Sequence, residues 1–340
     1  MPKTILVTGG AGYVGSVLIP KLIDYNYNVK CLDRFFFGRE FLSQQKFKGN
    51  LELINDDIRW VNSKIFEGVD IVLDLAALSN DPVGDLDSQK TFEINHKGRN
   101  RIARLSKENG VGHYVLASSA SIYGQQDNVA NENSSVKPLT TYSKANHNAE
   151  IDNLLLNDDN FTVTVLRFSS IYGISPRMRF DTAVNKMVLD LFSKKEISVS
   201  GKENKRPFIF IKDAVKAYLT IINASKDKIN GQIFNVGSDD QNFTMGDLAN
   251  KIVDSIDESC KINIQGTNDH RSYFASFEKI KTILDFTTDY GIKNGSIEIY
   301  QALVDGTISD NIKTKTVEWY KYLLNNPQDS KNLMINNTLL

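Results

Sequence analysis

Within its first twenty residues the chain passes from an apolar run, Ile5-Leu6-Val7-Thr8, through Gly9-Gly10-Ala11-Gly12-Tyr13-Val14-Gly15 into the helical Ser16-Val17-Leu18-Ile19. Glycines at 9, 12 and 15 mark a tight turn, a point of close approach to the backbone, and a point where helix packs on strand. Few folds put such a turn directly between a strand and a helix. The rest of the first half repeats the alternation. Residues 5–8, 28–33, 51–55, 71–76, 113–118 and 162–168 read as strands, each too short for a free-standing helix and bounded by polar or turn residues. Helical patterns at 16–25, 90–108 and 142–157 lie between them. Strand, helix, strand in succession demands crossover connections, hence a parallel sheet covered on both faces. The expected class is α/β, a doubly wound parallel sheet of the Rossmann kind.

After Gly173 the rhythm changes to mixed patterns, with helical stretches at 181–193, 212–224, 244–255 and 296–304. A smaller mixed α/β C-terminal lobe is expected there. The boundaries predicted are 1–172 for the first domain, with a returning segment at about 207–238 whose runs 208–215 and 232–237 rejoin the sheet. Residues 173–206 and 239–324 form the second lobe, and the asparagine-rich 325–340 reads as a loosely held tail.

Composition excludes several functions. Forty basic side chains against forty-one acidic ones leave a net charge of −1, with no general attraction for nucleic acid or an anionic membrane. Two distant cysteines, Cys31 and Cys260, supply neither a disulfide framework nor a cysteine zinc site, and point to a reducing compartment. No apolar run approaches the roughly 18 residues of a membrane span, and the start lacks the apolar core of a signal peptide. The four histidines have no metal-ligand spacing, so no metal is expected. These features predict a cytoplasmic protein.

The glycine loop, in its strand-to-helix context, reads as a cradle for a diphosphate at the positive end of a helix. Asp33 ends the second strand, twenty-four residues after Gly9, where an acid accepts both hydroxyls of an adenosine ribose. A carboxylate there repels a 2′-phosphate and favours NAD over NADP, a preference that the adjacent Arg34 weakens. Asp57 and Ile58, after the third strand, are candidate adenine contacts.

Further motifs follow in order. They are Leu75-Ala76-Ala77-Leu78-Ser79, Asn95, Ala117-Ser118-Ser119-Ala120-Ser121-Ile122-Tyr123-Gly124, Arg167-Phe168-Ser169-Ser170-Ile171-Tyr172-Gly173, Arg206-Pro207-Phe208 and Phe234-Asn235-Val236-Gly237. With the glycine loop, they resemble the extended short-chain dehydrogenase/reductases, specifically the NAD-dependent sugar-nucleotide epimerase/dehydratase family. The resemblance implies a cofactor site made of Gly9, Gly12, Tyr13, Val14, Gly15, Asp33, Asp57, Ile58, Leu75, Ala76, Ala77, Asn95 and Ser118, with Tyr142 and Asn146 near the nicotinamide. It implies a hydride taken from a sugar carbon, with Tyr142 as base on the sugar hydroxyl and Ser119 sharing that hydrogen bond.

One departure stands out. The family has a lysine four residues after the tyrosine, which stabilises the phenolate and holds the nicotinamide ribose. Here that position is Asn146. Lys144 is only two residues past Tyr142, roughly 200° round a helix. Three outcomes stay open: Tyr142 works at a higher pKa, Lys144 reaches in from a distorted first turn, or chemistry is impaired.

The acid pair with which 4,6-dehydratases move protons at carbon is replaced by Ala120 and Ser121, so dehydration is not expected. Ser121 would hydrogen-bond the sugar instead. The resemblance also implies a substrate diphosphate held by Arg206 and Arg271. Ser79, Ser170, Asn185 and the pair Arg177 and Arg179 are further substrate contacts. The leading reading is an epimerase that transiently oxidises C4 of a nucleotide-linked hexose or heptose. A sugar-nucleotide dehydrogenase or 4-keto-reductase is the first alternative. A non-catalytic NAD- or sugar-nucleotide-binding protein, motivated by Asn146, is the second. A homodimer through segments 90–108 and 142–157 is implied as well.

Overall fold

In the computed structural model, residues 2–43, 51–267 and 269–340 are described. Seven parallel strands form the main sheet: β1 (Thr4–Thr8), β2 (Asn28–Asp33), β3 (Leu51–Asn55), β4 (Ile71–Asp74), β5 (His113–Ser119), β6 (Thr162–Phe168) and β10 (Ile233–Val236). Their order is β3-β2-β1-β4-β5-β6-β10, a doubly wound arrangement. The chain reverses direction across the sheet between β1 and β4, which opens a crevice at their C-terminal ends.

The strands are apolar on both faces because helices cover both. Ile5 and Val7 of β1 join one core with Leu18, Leu22, Tyr218 and Ile221, whereas Leu6 points through the sheet into another with Ile102, Ala103 and Leu116. Alternation along the strand thus serves two cores at once. Each such fully buried aliphatic side chain contributes about 1.5–3 kcal/mol.

Two helical segments shape the crevice. Residues 88–108 run continuously, with a π turn at Glu93–Gly98 that leaves Asn95 and Arg99 both buried. Helix Thr141–Leu154 is started by a reciprocal cap: Ser143 N donates to the Thr140 hydroxyl at 3.1 Å, and Thr140 N donates to Ser143 Oγ at 3.0 Å. Its first turn is regular, and Lys144 faces solvent. The distorted turn that would bring Lys144 inward is not present.

The second lobe holds two small sheets. β9 (Lys205–Phe210) lies between β7 (Ser170–Tyr172) and β11 (Asn242–Thr244), and β8 (Glu196–Ser200) pairs with β12 (Lys261–Gln265). Their core joins Tyr172, Phe208, Phe210, Leu248, Ile252 and Ile299. Residues 208–215 therefore do not rejoin the main sheet as predicted. Only 208–210 are strand, in the small sheet, and a helix begins at Ile211 because Ala214, Tyr218 and Ile221 recur at helical spacing and bury against the first core. β10 alone makes the return.

The tail is docked rather than loose. Arg34 Nη2 donates to the carbonyls of Leu333 (2.7 Å) and Thr338 (3.0 Å). Leu339 and Leu340 are buried beside Phe36, Phe37 and the helix Thr316–Asn325. A mostly polar string conceals that its anchors are two leucines and two backbone carbonyls.

Candidate active site

A cavity of about 470 Å³ opens at the crevice, between the C-terminal strand ends and the second lobe. At one end lies the glycine loop. Gly9 has φ +67°, and a Cβ there would lie 2.8 Å from the backbone of Ala76, so the β1 and β4 loops meet only because residue 9 is glycine. The N–H groups of Tyr13 and Val14 donate to no backbone carbonyl among the described residues, and they stand at the N-terminus of helix Gly15–Asp24.

Asp33 lies beside them. Its carboxylate accepts from Ala11 N at 2.9 Å and Phe35 N at 2.7 Å. Burial raises its pKa, against the pull of those two N–H groups and of Arg177. Arg34 is committed elsewhere, to Asp57 at 2.6 Å and to the tail carbonyls. Asp57 lines the cavity, but both its oxygens are engaged by Arg34 and Arg59. This leaves Ile58 as the apolar contact there and argues against an adenine bond to the Asp57 carboxylate.

Arg177 is buried, with its guanidinium 3.6 Å above the Phe37 ring centroid and a bond to Thr316 Oγ1 at 3.0 Å. Among the described residues it has no carboxylate within ion-pair distance, and burial brings its pKa down to about 9. A buried cation with no carboxylate at ion-pair distance among the described residues, the two N–H groups at the helix start and an acceptor carboxylate on one wall fit a dinucleotide diphosphate and its ribose. Arg177 thus faces the glycine-loop end, not the substrate end to which the resemblance assigned it.

At the other end stand Ser119 and Tyr142. Ser119 closes β5, Tyr142 stands on the first turn of its helix, and both line the cavity; Ser119 Oγ donates to Ser121 Oγ at 2.9 Å. Burial pushes the Tyr142 phenol above its ordinary value, and Asp81 adds to this. Arg99, the neighbouring Ser119 hydroxyl and Arg179 oppose it.

Ser79, Ser170, Arg179, Arg206 and Arg271 line the same space, together with Leu75, Ala76, Ala77 and Ser118. The arginines are held by carboxylates. Arg179 pairs with Asp181 at 2.8 Å, Arg206 with Asp269 at 2.9 Å, and Arg271 with Asp269 at 2.7 Å and with Asp81 across the cavity mouth.

Three expected contacts turn away from the cavity. Asn95 clamps both backbone groups of Leu78, accepting at 2.8 Å and donating at 3.0 Å, and so shapes the β4 loop from behind. Asn185 is buried between Gly173 N (2.9 Å), Tyr13 Oη (3.0 Å) and the Arg179 carbonyl (2.7 Å). It ties the lobe junction together and has no polar atom left for a base or phosphate. Asn146 spends its amide on Arg99 Nη1 (2.8 Å) and the Tyr142 carbonyl (3.0 Å). In each case a buried amide found backbone or side-chain partners before any ligand. Sequence reading missed Arg99, and also Asp81 and the two tail leucines, which line the cavity with Phe36 and Phe37. Arg99, four residues after Asn95 on one helix face, carried a signal: a charge on a face that packs inward.

The sheet, the cradle and the acid at the end of β2 define a dinucleotide-binding protein of the doubly wound class. The chain belongs to the NAD dependent epimerase/dehydratase family, whose model matches residues 5–237, and NAD is its cofactor. It is 27% identical over 244 residues to an uncharacterised UDP-glucose epimerase of Bacillus subtilis, covering 68% of this chain and 76% of that one. It is 28% identical over 304 residues to the dTDP-D-glucose 4,6-dehydratase of Homo sapiens, covering 82% and 83%. Among solved structures, the UDP-glucuronic acid 4-epimerase of Bacillus cereus superposes with a TM-score of 0.80 at 21% identity, over 89% of this chain and 99% of that one. No helix among the described residues is long and apolar enough to cross a membrane.

Proposed function

We propose that the protein is an NAD-dependent sugar-nucleotide epimerase that transiently oxidises C4 of a nucleotide-linked hexose or heptose. The observation that carries this reading is the Ser119–Tyr142 pair facing the cavity beside the glycine loop. NAD, when bound, supplies the hydride acceptor. Tyr142 takes the proton from the sugar hydroxyl, Ser119 shares that hydrogen bond, and Tyr142 returns the proton after the keto sugar has turned its other face. Arg206 and Arg271 would exchange part of their pairing with Asp269 and Asp81 for the substrate diphosphate.

Dehydration, the reaction named for the human relative and others, is disfavoured. Ala120 and Ser121 follow Ser119, and the carboxylates nearest the sugar end, Asp81 and Asp181, are tied to Arg271 and Arg179. Retention of the cofactor through the cycle, which separates an epimerase from a net dehydrogenase, is supported by the docked tail beside the Asp33 pocket. The two buried cysteines, both unpaired, agree with a reducing cytoplasm. Ile151 and Leu155, exposed on the helix Thr141–Leu154 and just beyond it, offer a surface for a homodimer.

Purified protein incubated with UDP-, dTDP-, GDP- and CDP-sugars, without added cofactor, tests the reading. Epimer formation without net NADH absorbance is expected. Stoichiometric NADH would convert the reading to a dehydrogenase, and tight binding without turnover would convert it to a binding protein.

A further inference from the structure

The lysine that the resemblance calls for at position 146 is absent, yet the place behind Tyr142 is not without positive charge. Arg99 comes in from the neighbouring helix and is essentially fully buried. Its Nη1 donates to Asn146 Oδ1 at 2.8 Å, and Asn146 Nδ2 in turn donates to the Tyr142 carbonyl at 3.0 Å. Its Nη2 donates to the Asp74 carbonyl at 2.8 Å and to the Ala117 carbonyl, at the end of β5 that also carries Ser119. Only Nε approaches the Asp74 carboxylate, at 3.4 Å, and that carboxylate already takes the hydroxyls of Tyr114 and Thr8. An arginine serving only as a counter-ion would present its fork to the carboxylate in two parallel bonds. Here one arm of the fork is turned to Asn146 on the tyrosine's helix and the other to the carbonyls of Asp74 and Ala117, at the desolvation cost of a buried charge.

We propose that Arg99, held by Asn146, supplies from the adjacent helix the positive charge that stabilises the Tyr142 phenolate, in place of a lysine on the tyrosine's own helix. This rests on the reading of Tyr142 as the proton acceptor. Arg99 is a positioning residue, acting through Asn146 and through its field.

The other groups around Tyr142 do not fill this role. Asp81, on the short turn after β4, opposes the phenolate. Arg179, from the loop after β7, favours it but is held by Asp181 through two bonds at 2.8 and 3.2 Å, closer than the single 3.4 Å approach of Arg99 to Asp74. Arg271 is divided between Asp81 and Asp269. Tyr218 and Tyr273, whose pKa values burial raises, face it as neutral phenols. Lys144 points into solvent. An opposite charge near an acid lowers its pKa by about one to three units, and Arg99, joined to Tyr142 only through the amide on its main-chain carbonyl and shared with Asp74, belongs at the lower end of that range.

The test is direct titration of Tyr142 by NMR of protein labelled with ¹³C at the tyrosine ζ carbon, the signal being assigned by Tyr142→Phe. It needs neither substrate nor turnover. Arg99→Met is expected to raise the Tyr142 pKa by about one unit and to move the rising limb of the kcat–pH profile up equally, a roughly tenfold loss at neutral pH. Moving the charge one helix over, in Arg99→Met/Asn146→Lys, is expected to restore both. Should Arg99→Met fail to fold, Arg99→Gln removes the charge while keeping a donor for Asn146 Oδ1 and gives the same two readouts. A folded variant whose Tyr142 titration and pH limb stay at the wild-type position, whatever its melting temperature, overturns the proposal. Full turnover in Tyr142→Phe would instead overturn the tyrosine-base reading, so the two failures are distinct.

Discussion

Replacing Asp33 by asparagine is the sharpest probe of the cofactor site. Two of the roughly four acceptor positions of this carboxylate are used by Ala11 N and Phe35 N, which leaves the others for ribose hydroxyls. A bond to a charged acceptor in such a buried spot is worth about 1.5–3 kcal/mol. Asp33→Asn should therefore weaken NAD by about 10- to 150-fold. NADP should behave differently. In the wild type its 2′-phosphate meets a carboxylate, and Arg34 cannot compensate because Asp57 and two tail carbonyls already hold its guanidinium. NAD should accordingly bind at least about tenfold tighter than NADP, about 1.4 kcal/mol, and the substitution should narrow that ratio. Calorimetry on cofactor-stripped protein at one fixed ionic strength reads all four affinities. Equal wild-type affinities for the two cofactors, or an unchanged NAD affinity in the variant, would refute the assignment of Asp33.

Tyr142→Phe should reduce turnover by a factor on the order of 10² to 10⁴, whereas the solvent-facing Lys144 should change it by less than about twofold on truncation to alanine; a collapse in Lys144→Ala would refute the regular first turn. Burial works against ionised Glu150, but His147, Arg167 and Ser118 outweigh it and hold its carboxyl below the usual range. Its stabilisation is therefore present above the unfolded carboxyl value of about 4.3 and is lost as pH falls through the lower folded value. Glu150→Gln strands Arg167 and should cost about 3–5 kcal/mol near neutrality, with a flatter acid limb, as read by denaturant midpoints across pH; a parallel loss at every pH would remove the ion pair as the cause. Gly9→Ala combines a positive φ with a contact of 2.8 Å to Ala76. It should cost roughly 1–3 kcal/mol and release bound NAD, measured as cofactor copurifying with the protein; full retention would count against the close approach of the two loops.

The sheet was legible because its strands are covered on both sides. Runs such as Ile5-Leu6-Val7 have no polar face to confuse the period, and every strand of the first half falls within two residues of its predicted bounds. The regular start of the helix Thr141–Leu154 stays open in the sequence reading, although the Thr140/Ser143 pair that caps it stands in the sequence. The three-residue strands β7 and β11 were not legible, since so short an element has no period and is made only by its neighbour β9. Nor were the directions of Asn95, Asn185 and Asn146, because an amide bonds a buried backbone group as readily as a ligand and sequence does not say which arrives first. Arg99 and Asn146 are forty-seven residues apart, and their bond exists only because two helices meet beneath β4 and β5.

The two tail carbonyls on Arg34 have a consequence for how this protein tolerates change. A carbonyl oxygen is the same at every residue, so the grip at 333 and 338 reads spacing and not identity. Substitutions at Leu333 or Thr338 leave both acceptors in place. Removing or adding one residue between them shifts one oxygen out of reach and swings Leu339 and Leu340 off the wall of the cavity. This stretch of chain can drift in its letters as long as it keeps count.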